Sequence, residues 1–363
     1  MVYLNSAYSN LKRLRKLSAS PRVLPDASKA ISTHAADKIV LVIGESASAE
    51  QHSLYGYPLP TSPHLDAMRD SLFIFTDAIC SSTATTVNLP RILSFLNDIH
   101  DSGEWQDYPT VIQLFKALGY HTVWLSNQER TGFWSNQSAI IADEADDTRF
   151  LGANDSEDNL LYTFDDVLIP PFREVLAPSG SRSLICIHLL GSHNAYNMRY
   201  PADFKRFNGA DVLAKTPHRK WLNAEKAETV AAYDNSIAYT DSILSVIIND
   251  VGQRSEPALV IYFSDHGENL YDVADFAGRD RRRSRVPFFI YANSSYHARN
   301  PEILVSIRKA LDLPITTAEF IHMLLTLTGS SYPLYNPAAD PLSRDFRART
   351  RYVDEDTWPI PAK

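Results

Sequence analysis

Residues 258–272 read ALVIYFSDHGENLYD: six apolar or aromatic positions, a serine, and then a polar run that opens with Asp265 and His266. The apolar positions do not alternate with polar ones. A strand with one wet face would alternate, so this run predicts a strand covered on both faces, the habit of a mostly parallel sheet sandwiched between helices. The same character recurs in KIVLVIG (38–44), LFIFTDA (72–78), HTVWLS (121–126), SLICIHLL (183–190) and VPFFIYA (286–292). Between these runs lie segments with helical spacing: TVIQLFKALG ending at Gly119, AEKAETVAAYDNSIAYTDSILSVIINDVG ending at Gly252, and TTAEFIHMLLTLTG ending at Gly329. In each the glycine reads as a helix stop. The alternation predicts an α/β/α sandwich with a mostly parallel central sheet. No internal repeat or low-complexity block interrupts it. Three parts are expected: a linker or amphipathic arm over 1–36, a single domain over 37–330, and a C-terminal extension over 331–363 packed on that domain.

The bulk numbers agree with a folded enzyme-sized chain. Its 363 residues are 44% hydrophobic and 21% charged, with a net charge of -8. That charge gives no global reason to expect nucleic acid, which needs a basic face. The two cysteines, Cys80 and Cys186, cannot build a disulfide framework or a Cys-rich zinc module. No apolar stretch approaches the roughly 20 residues of a membrane-spanning helix, and no secretory signal core is visible. The opening MVYLNSAYSNLKRLRKLSAS is basic and weakly amphipathic, suited to a surface helix, a membrane-side linker or a solvated arm.

In open α/β sheets chemistry gathers beyond the carboxyl ends of the strands. The run 38–44 delivers Glu45, the run 258–264 delivers Asp265 and His266, and the run 183–190 is followed by Gly191, Ser192 and His193. Carboxylates with an imidazole suit Zn²⁺ or Mn²⁺. The competing reading of SDHGE is an ordinary polar turn capping a strand. A second candidate is SSTATTVNLPR (81–91), hydroxyl-rich and leading into a helical stretch. It is either an N-cap or a nucleophilic threonine at a helix N-terminus, where the dipole favours an alkoxide and a bound phosphate. A threonine hydroxyl also needs help to ionise, and metal coordination would supply it. By contrast, GESAS (44–48) lacks the second glycine of G-x-S-x-G, which disfavours a serine hydrolase centred on Ser46.

Six motifs in order resemble the catalytic domain of bacterial phosphoethanolamine transferases, the sulfatase-like branch of the alkaline phosphatase superfamily. They are VLVIGESASAEQHSLYGYPLPTSPHLD, STATTVNLP, YHTVWLSNQ, LICIHLLGSHNAYNMRYPADFKRF, AAYDNSIAYTDSIL and YFSDHGENLYD, and the match runs from about residue 38 to near 353. The WLSNQ and HGENLYD variants look closer to the core-oligosaccharide-modifying subgroup than to the lipid A-modifying one. The chain lacks the Cys-x-Pro-x-Arg arrangement that sulfatases modify, which disfavours a sulfatase reaction. The resemblance implies that Glu45, Asp265 and His266 are zinc ligands. Thr85, five residues before Pro90 as in the family, would be both nucleophile and remaining ligand. It implies one zinc ion, with room for a second. His193 looks like the family histidine that meets the phosphoryl group. Thr83, Asn127 and Gln128 lie where the family places phosphate or ethanolamine contacts. Glu268 would orient His266, touch the substrate ammonium or cap a helix, and His188 is an inward-facing strand residue suited equally to core packing.

The implied reaction moves phosphoethanolamine from phosphatidylethanolamine to lipopolysaccharide (lipid A or a core sugar) or another envelope glycan, through a phospho-threonine, at the periplasmic face of the inner membrane. The rival readings are a phosphodiesterase or phosphoglycerol transferase of the same superfamily, and a catalytically silent domain that binds anionic glycans. Two features depart from the family pattern. No histidine occurs between His266 and His297, and Arg279 stands near the expected place, within the arginine-rich RDRRRSR (279–285). Arginine can clamp a phosphoryl oxygen but cannot exchange a proton at neutral pH. The family's N-terminal transmembrane bundle is also absent from this chain, and membrane association is expected only of a full-length form.

Overall fold

The computed structural model describes residues 24–96, 104–130, 136–152, 163–217, 219, 222–270, 281–354 and 356–358. Its centre is a seven-stranded sheet built from β1 (Lys38–Gly44), β2 (Leu72–Ile74), β3 (His121–Ser126), β4 (Asp147–Phe150), β5 (Ser183–His188), β6 (Ala258–Ser264) and β7 (Phe288–Ala292), in the order β2-β7-β6-β1-β5-β3-β4. The five strands from β6 to β4 run parallel, while β7 lies antiparallel to both β6 and β2. The mostly parallel expectation therefore holds.

The unbroken apolar runs are explained by two separate cores. Along β1, Ile39, Leu41 and Ile43 enter one cluster and Val40 and Val42 the other. Along β6, Leu259, Ile261 and Phe263 face one side, Val260 and Tyr262 the other. On the first side pack α1 (Thr85–Ile92), α2 (Val111–Ala117) and, later in the chain, Phe320–Leu327, through Leu89, Ile112, Phe115 and Leu324. On the second packs α3 (Ala224–Gly252), through Tyr239, Ile243, Leu244 and Ile247. Each fully buried aliphatic or aromatic side chain contributes about 1.5–3 kcal/mol relative to exposure, so covering both faces is what holds the sheet.

Strand β4, reading DTRF, is half-exposed along its length at the sheet edge. Its polar character hid it from pattern reading. The run 72–78 divides: Leu72–Ile74 joins the main sheet, and Ala78–Ile79 pairs instead with Ile315–Thr316. Gly119 and Gly329 stop their helices in the left-handed conformation, with φ +82 and +62. Gly252 does not; it remains helical, and a Cβ there would stand 2.7 Å from the Tyr291 hydroxyl. That glycine makes room for the Tyr291 side chain and does not end the helix by a left-handed turn.

Parts of both flanking segments are built into the domain. Ile31–Ser32 pairs antiparallel with Ser330–Ser331, Leu24, Tyr332 and Leu342 join the first core cluster, and Arg351–Val353 pairs with Asp356–Trp358. Among the described residues no helix is long and apolar enough to cross a membrane.

Candidate metal centre and nucleophile

Strands β1 and β6 are neighbours in parallel register, and Gly44 pairs with Ser264. Both strands end at that level, so Glu45 and Asp265 emerge side by side. The Asp265 amide donates to the Gly44 carbonyl at 3.0 Å, which fixes the pair of exits. The turn after β1 is tight: Ser46 has φ +56, a left-handed conformation rare for a residue with a side chain. It is held by its amide on Asp265 Oδ1 (3.0 Å), its hydroxyl on Glu45 Oε1 (2.9 Å) and the Tyr233 hydroxyl on its carbonyl (2.6 Å).

Thr85 is the first residue of α1, after Ala84 at the N-cap. Its Oγ1 lies 2.5 Å from Asp265 Oδ2, 3.3 Å from Glu45 Oε1 and 3.3 Å from His266 Nε2. One turn along, Asn88 donates to the Asp265 carbonyl and accepts from the amide and hydroxyl of Ser81. His266 Nδ1 sits 2.7 Å from the Gly267 carbonyl. The proton assigned to Nδ1 leaves Nε2, the nitrogen facing Thr85, as an acceptor.

Glu45, Asp265 and His266 are all buried, and their ligand atoms lie within 4.8 Å of one another. Burial, and then the neighbouring Asp265 charge, push the Glu45 carboxyl up to about 8. Burial disfavours a charged His266, but Asp265 and Glu45 outweigh it and hold the imidazole above its ordinary value. Two desolvated carboxylates this close are costly together. Two carboxylates, one imidazole nitrogen and a hydroxyl converging on one point are the donor set of a tetrahedral zinc site. The residues present fit such an ion, and the simple polar-turn reading of SDHGE does not account for Glu45 and Thr85 meeting there.

The other expected residues are arranged around this cluster. Gln128 donates to the Leu189 carbonyl at 2.8 Å and lies 3.4 Å from Glu45 Oε2, so it touches the site through Glu45. Asn127 is buried and its amide is engaged with Thr163 and Asp165. Asp165 in turn accepts from the amides of Leu190 and Gly191. Asn127 thus braces the loop beside Glu45 through these bonds. His193 follows Ser192, whose amide donates to the Glu45 carbonyl at 2.9 Å, but the His193 ring is exposed, with Nδ1 2.7 Å from the Asn194 carbonyl. It makes no hydrogen bond to the cluster.

Thr83 is held by the carboxylate of Asp354. Glu268 accepts from the Asn269 amide at 2.8 Å and lies 4.0 Å from Arg283 Nε, without bonding to His266. His188 is buried edge-on to Trp124 at 5.9 Å, with neither ring nitrogen partnered among the described residues, and burial lowers it to about 4. Arg279 lies outside the described residues. From the same cluster Arg285 pairs with Glu50 at 3.0 Å. Sequence reasoning passed over Asn88, Asp165, Tyr233 and Asp354. Only Asn88 carried a signal, one helical turn after Thr85.

The fold is an α/β sandwich of the alkaline phosphatase and sulfatase kind, with a candidate metal centre at the ends of β1 and β6. The chain belongs to the Sulfatase family, whose match spans residues 37–330. Among known proteins it is 30% identical over 326 residues to the phosphoethanolamine transferase EptC of Escherichia coli K12, covering 87% of this chain and 55% of that protein. It is 28% identical over 358 residues to the phosphoethanolamine transferase CptA of Salmonella typhimurium LT2, covering 94% of this chain and 60% of that protein. The chain therefore spans little more than half the length of these relatives. Of solved structures, it superposes on the C-terminal periplasmic domain of Escherichia coli EptC in complex with Zn, with a TM-score of 0.79 and 28% identity, covering 92% of this chain and 93% of that one.

Proposed function

We propose that the chain is the catalytic domain of a zinc-dependent phosphoethanolamine transferase working by double displacement at Thr85. The observation that carries this reading is the Thr85 hydroxyl lying within 3.4 Å of all three candidate ligands, Glu45, Asp265 and His266. The names of the relatives EptC and CptA support the transferred group, and the zinc complex of the EptC domain supports the metal. Zinc held by these four residues would act as a Lewis acid that favours the Thr85 alkoxide and polarises the phosphoryl group.

In the first half-reaction Thr85 Oγ forms a bond to the phosphorus of phosphatidylethanolamine. The bond from phosphorus to the glycerol oxygen breaks, and diacylglycerol leaves with the proton. In the second, a hydroxyl or phosphate oxygen of lipopolysaccharide or another envelope glycan takes the phosphoethanolamine, and Thr85 regains its proton. The N-terminal turn of α1 favours the anionic group. His193 and Gln128 are assigned to the phosphoryl side of the site, and Thr83 and Glu268 to its rim. The proposed complement is one zinc ion at Glu45, Asp265, His266 and Thr85, with room for a second. The proposed location is the periplasmic face of the inner membrane, in a longer protein.

The test is peptide mass spectrometry after incubating the chain with zinc and phosphatidylethanolamine, beside Thr85→Ala. A phosphoethanolamine adduct on Thr85, absent from the variant, is expected. An adduct formed only from phosphatidylglycerol would transfer the assignment to a phosphoglycerol transferase. No adduct from either donor, with zinc bound, would overturn the nucleophile.

A further inference from the structure

The C-terminal segment reaches back to the start of α1. Arg351 is buried, its guanidinium paired with Asp77 at 2.9 and 3.0 Å and donating to the Asp77 and Ile315 carbonyls. Arg351–Val353 and Asp356–Trp358 form an antiparallel pair, and between them Asp354 adopts φ +52. This turn aims Asp354 at the residues before Thr85. Its amide donates to the Ser81 carbonyl at 3.0 Å. Its carboxylate accepts from the Ser82 hydroxyl (2.6 Å), the Thr83 hydroxyl (2.7 Å) and the Thr83 amide (3.2 Å).

These contacts matter because α1 begins without an ordinary cap. Ala84 occupies the N-cap position and has no side-chain acceptor to offer. The segment 81–84 is instead pinned on two sides, by Asn88 on Ser81 and by Asp354 on Ser81, Ser82 and Thr83. Thr85 follows directly. Burial alone would raise Asp354, but the bonds from Ser82 and Thr83, with Arg283 nearby, hold it below the usual carboxylate range, so it is ionised and a strong acceptor at neutral pH.

We infer that Asp354 is a positioning residue: by clamping Ser82 and Thr83 it fixes the entry of α1 and holds the Thr85 hydroxyl against Glu45, Asp265 and His266. This inference rests on Thr85 as nucleophile. It gives the C-terminal segment a part in the site, although Asp354 touches neither metal ligands nor reacting atoms.

The experiment compares Asp354→Ala and Asp354→Asn with Asp312→Ala in the full chain. Asp312 is the control because it also accepts from a threonine hydroxyl, Thr76 at 2.9 Å, in an exposed position. Zinc content, Tm, amide exchange of a peptide spanning 79–89 and single-turnover formation of the Thr85 adduct are read together. A misplacement near 1 Å can cost about 100-fold in rate. Asp354→Ala is therefore expected to slow the adduct about that much, lowering kcat with KM unchanged, and to speed exchange over 79–89. Zinc content at saturating metal should match Asp312→Ala, because Glu45, Asp265 and His266 are untouched, and so should Tm. Asp354→Asn, which keeps one acceptor oxygen, should fall between. Wild-type adduct rate and exchange in Asp354→Ala would overturn the inference, as would a rate loss that merely tracks lost zinc or lost Tm. If the wild-type chain forms no adduct, the nucleophile reading fails, and the exchange measurement alone decides the clamp.

Discussion

Gly191 sits where the loop after β5 crosses the exit of β1, and replacing it with alanine tests whether that crossing shapes the site. Its φ is +54, and a Cβ there would stand 2.8 Å from the Glu45 carbonyl oxygen and 2.9 Å from the Glu45 amide nitrogen. Both are backbone atoms, so neither can swing aside. A left-handed alanine costs about 1–2 kcal/mol, and forcing a methyl into packed backbone costs about 1–3 kcal/mol more. The sum is about 2–5 kcal/mol for Gly191→Ala. Gly180 supplies the control, because its φ is +73 and nothing lies within 4 Å of the added methyl. Gly180→Ala should lose only the conformational part, about 1–2 kcal/mol. Urea unfolding of chelated protein gives both stabilities. A zinc titration of Gly191→Ala should show affinity down by about 10- to 100-fold, as when a group supporting a ligand is displaced. Equal losses in the two variants, with zinc affinity unchanged in Gly191→Ala, would refute the argument that Gly191 is required by its approach to Glu45.

Asp265→Asn should abolish stoichiometric zinc, measured by elemental mass spectrometry. It should not lower the Tm of chelated protein, since one of two close buried carboxylates is removed while an oxygen remains for the Ser46 and His266 amides. Retained zinc would sink the metal assignment. Asp234 is buried, accepts from Gln51 and Tyr57 at 2.9 Å with Arg219 near, and burial pushes its carboxyl up to about 7. The folded chain keeps a proton there that the unfolded chain releases near pH 4. Its contribution is complete below pH 4 and is lost as pH rises through about 7. Asp234→Asn should therefore show a flatter decline in urea midpoint between pH 5 and 8, and an unchanged slope would contradict it.

The sandwich was legible because each central strand is apolar on both faces, a pattern that a half-wet strand cannot sustain. Glu45, Asp265 and His266 were legible as polar residues placed where those runs stop. Strand β4 was not, because an edge strand with half-exposed DTRF carries too little apolar pattern. Nor was the hydrogen bond from Asn127 to Asp165, since the two residues lie far apart in the chain.

The sequence by itself determined which segments are buried strands and which chemical groups end them, because burial and strand termination are written in residues next to one another. Tertiary structure decided what those groups do together. The register pairing Gly44 with Ser264 brings Glu45 beside Asp265, and the packing of α1 delivers Thr85 rather than a neighbouring hydroxyl to the cluster. Asp354 reaches Ser82 and Thr83 from the far end of the chain. Such contacts depend on how separate elements settle against a shared core, and no local pattern of residues records that.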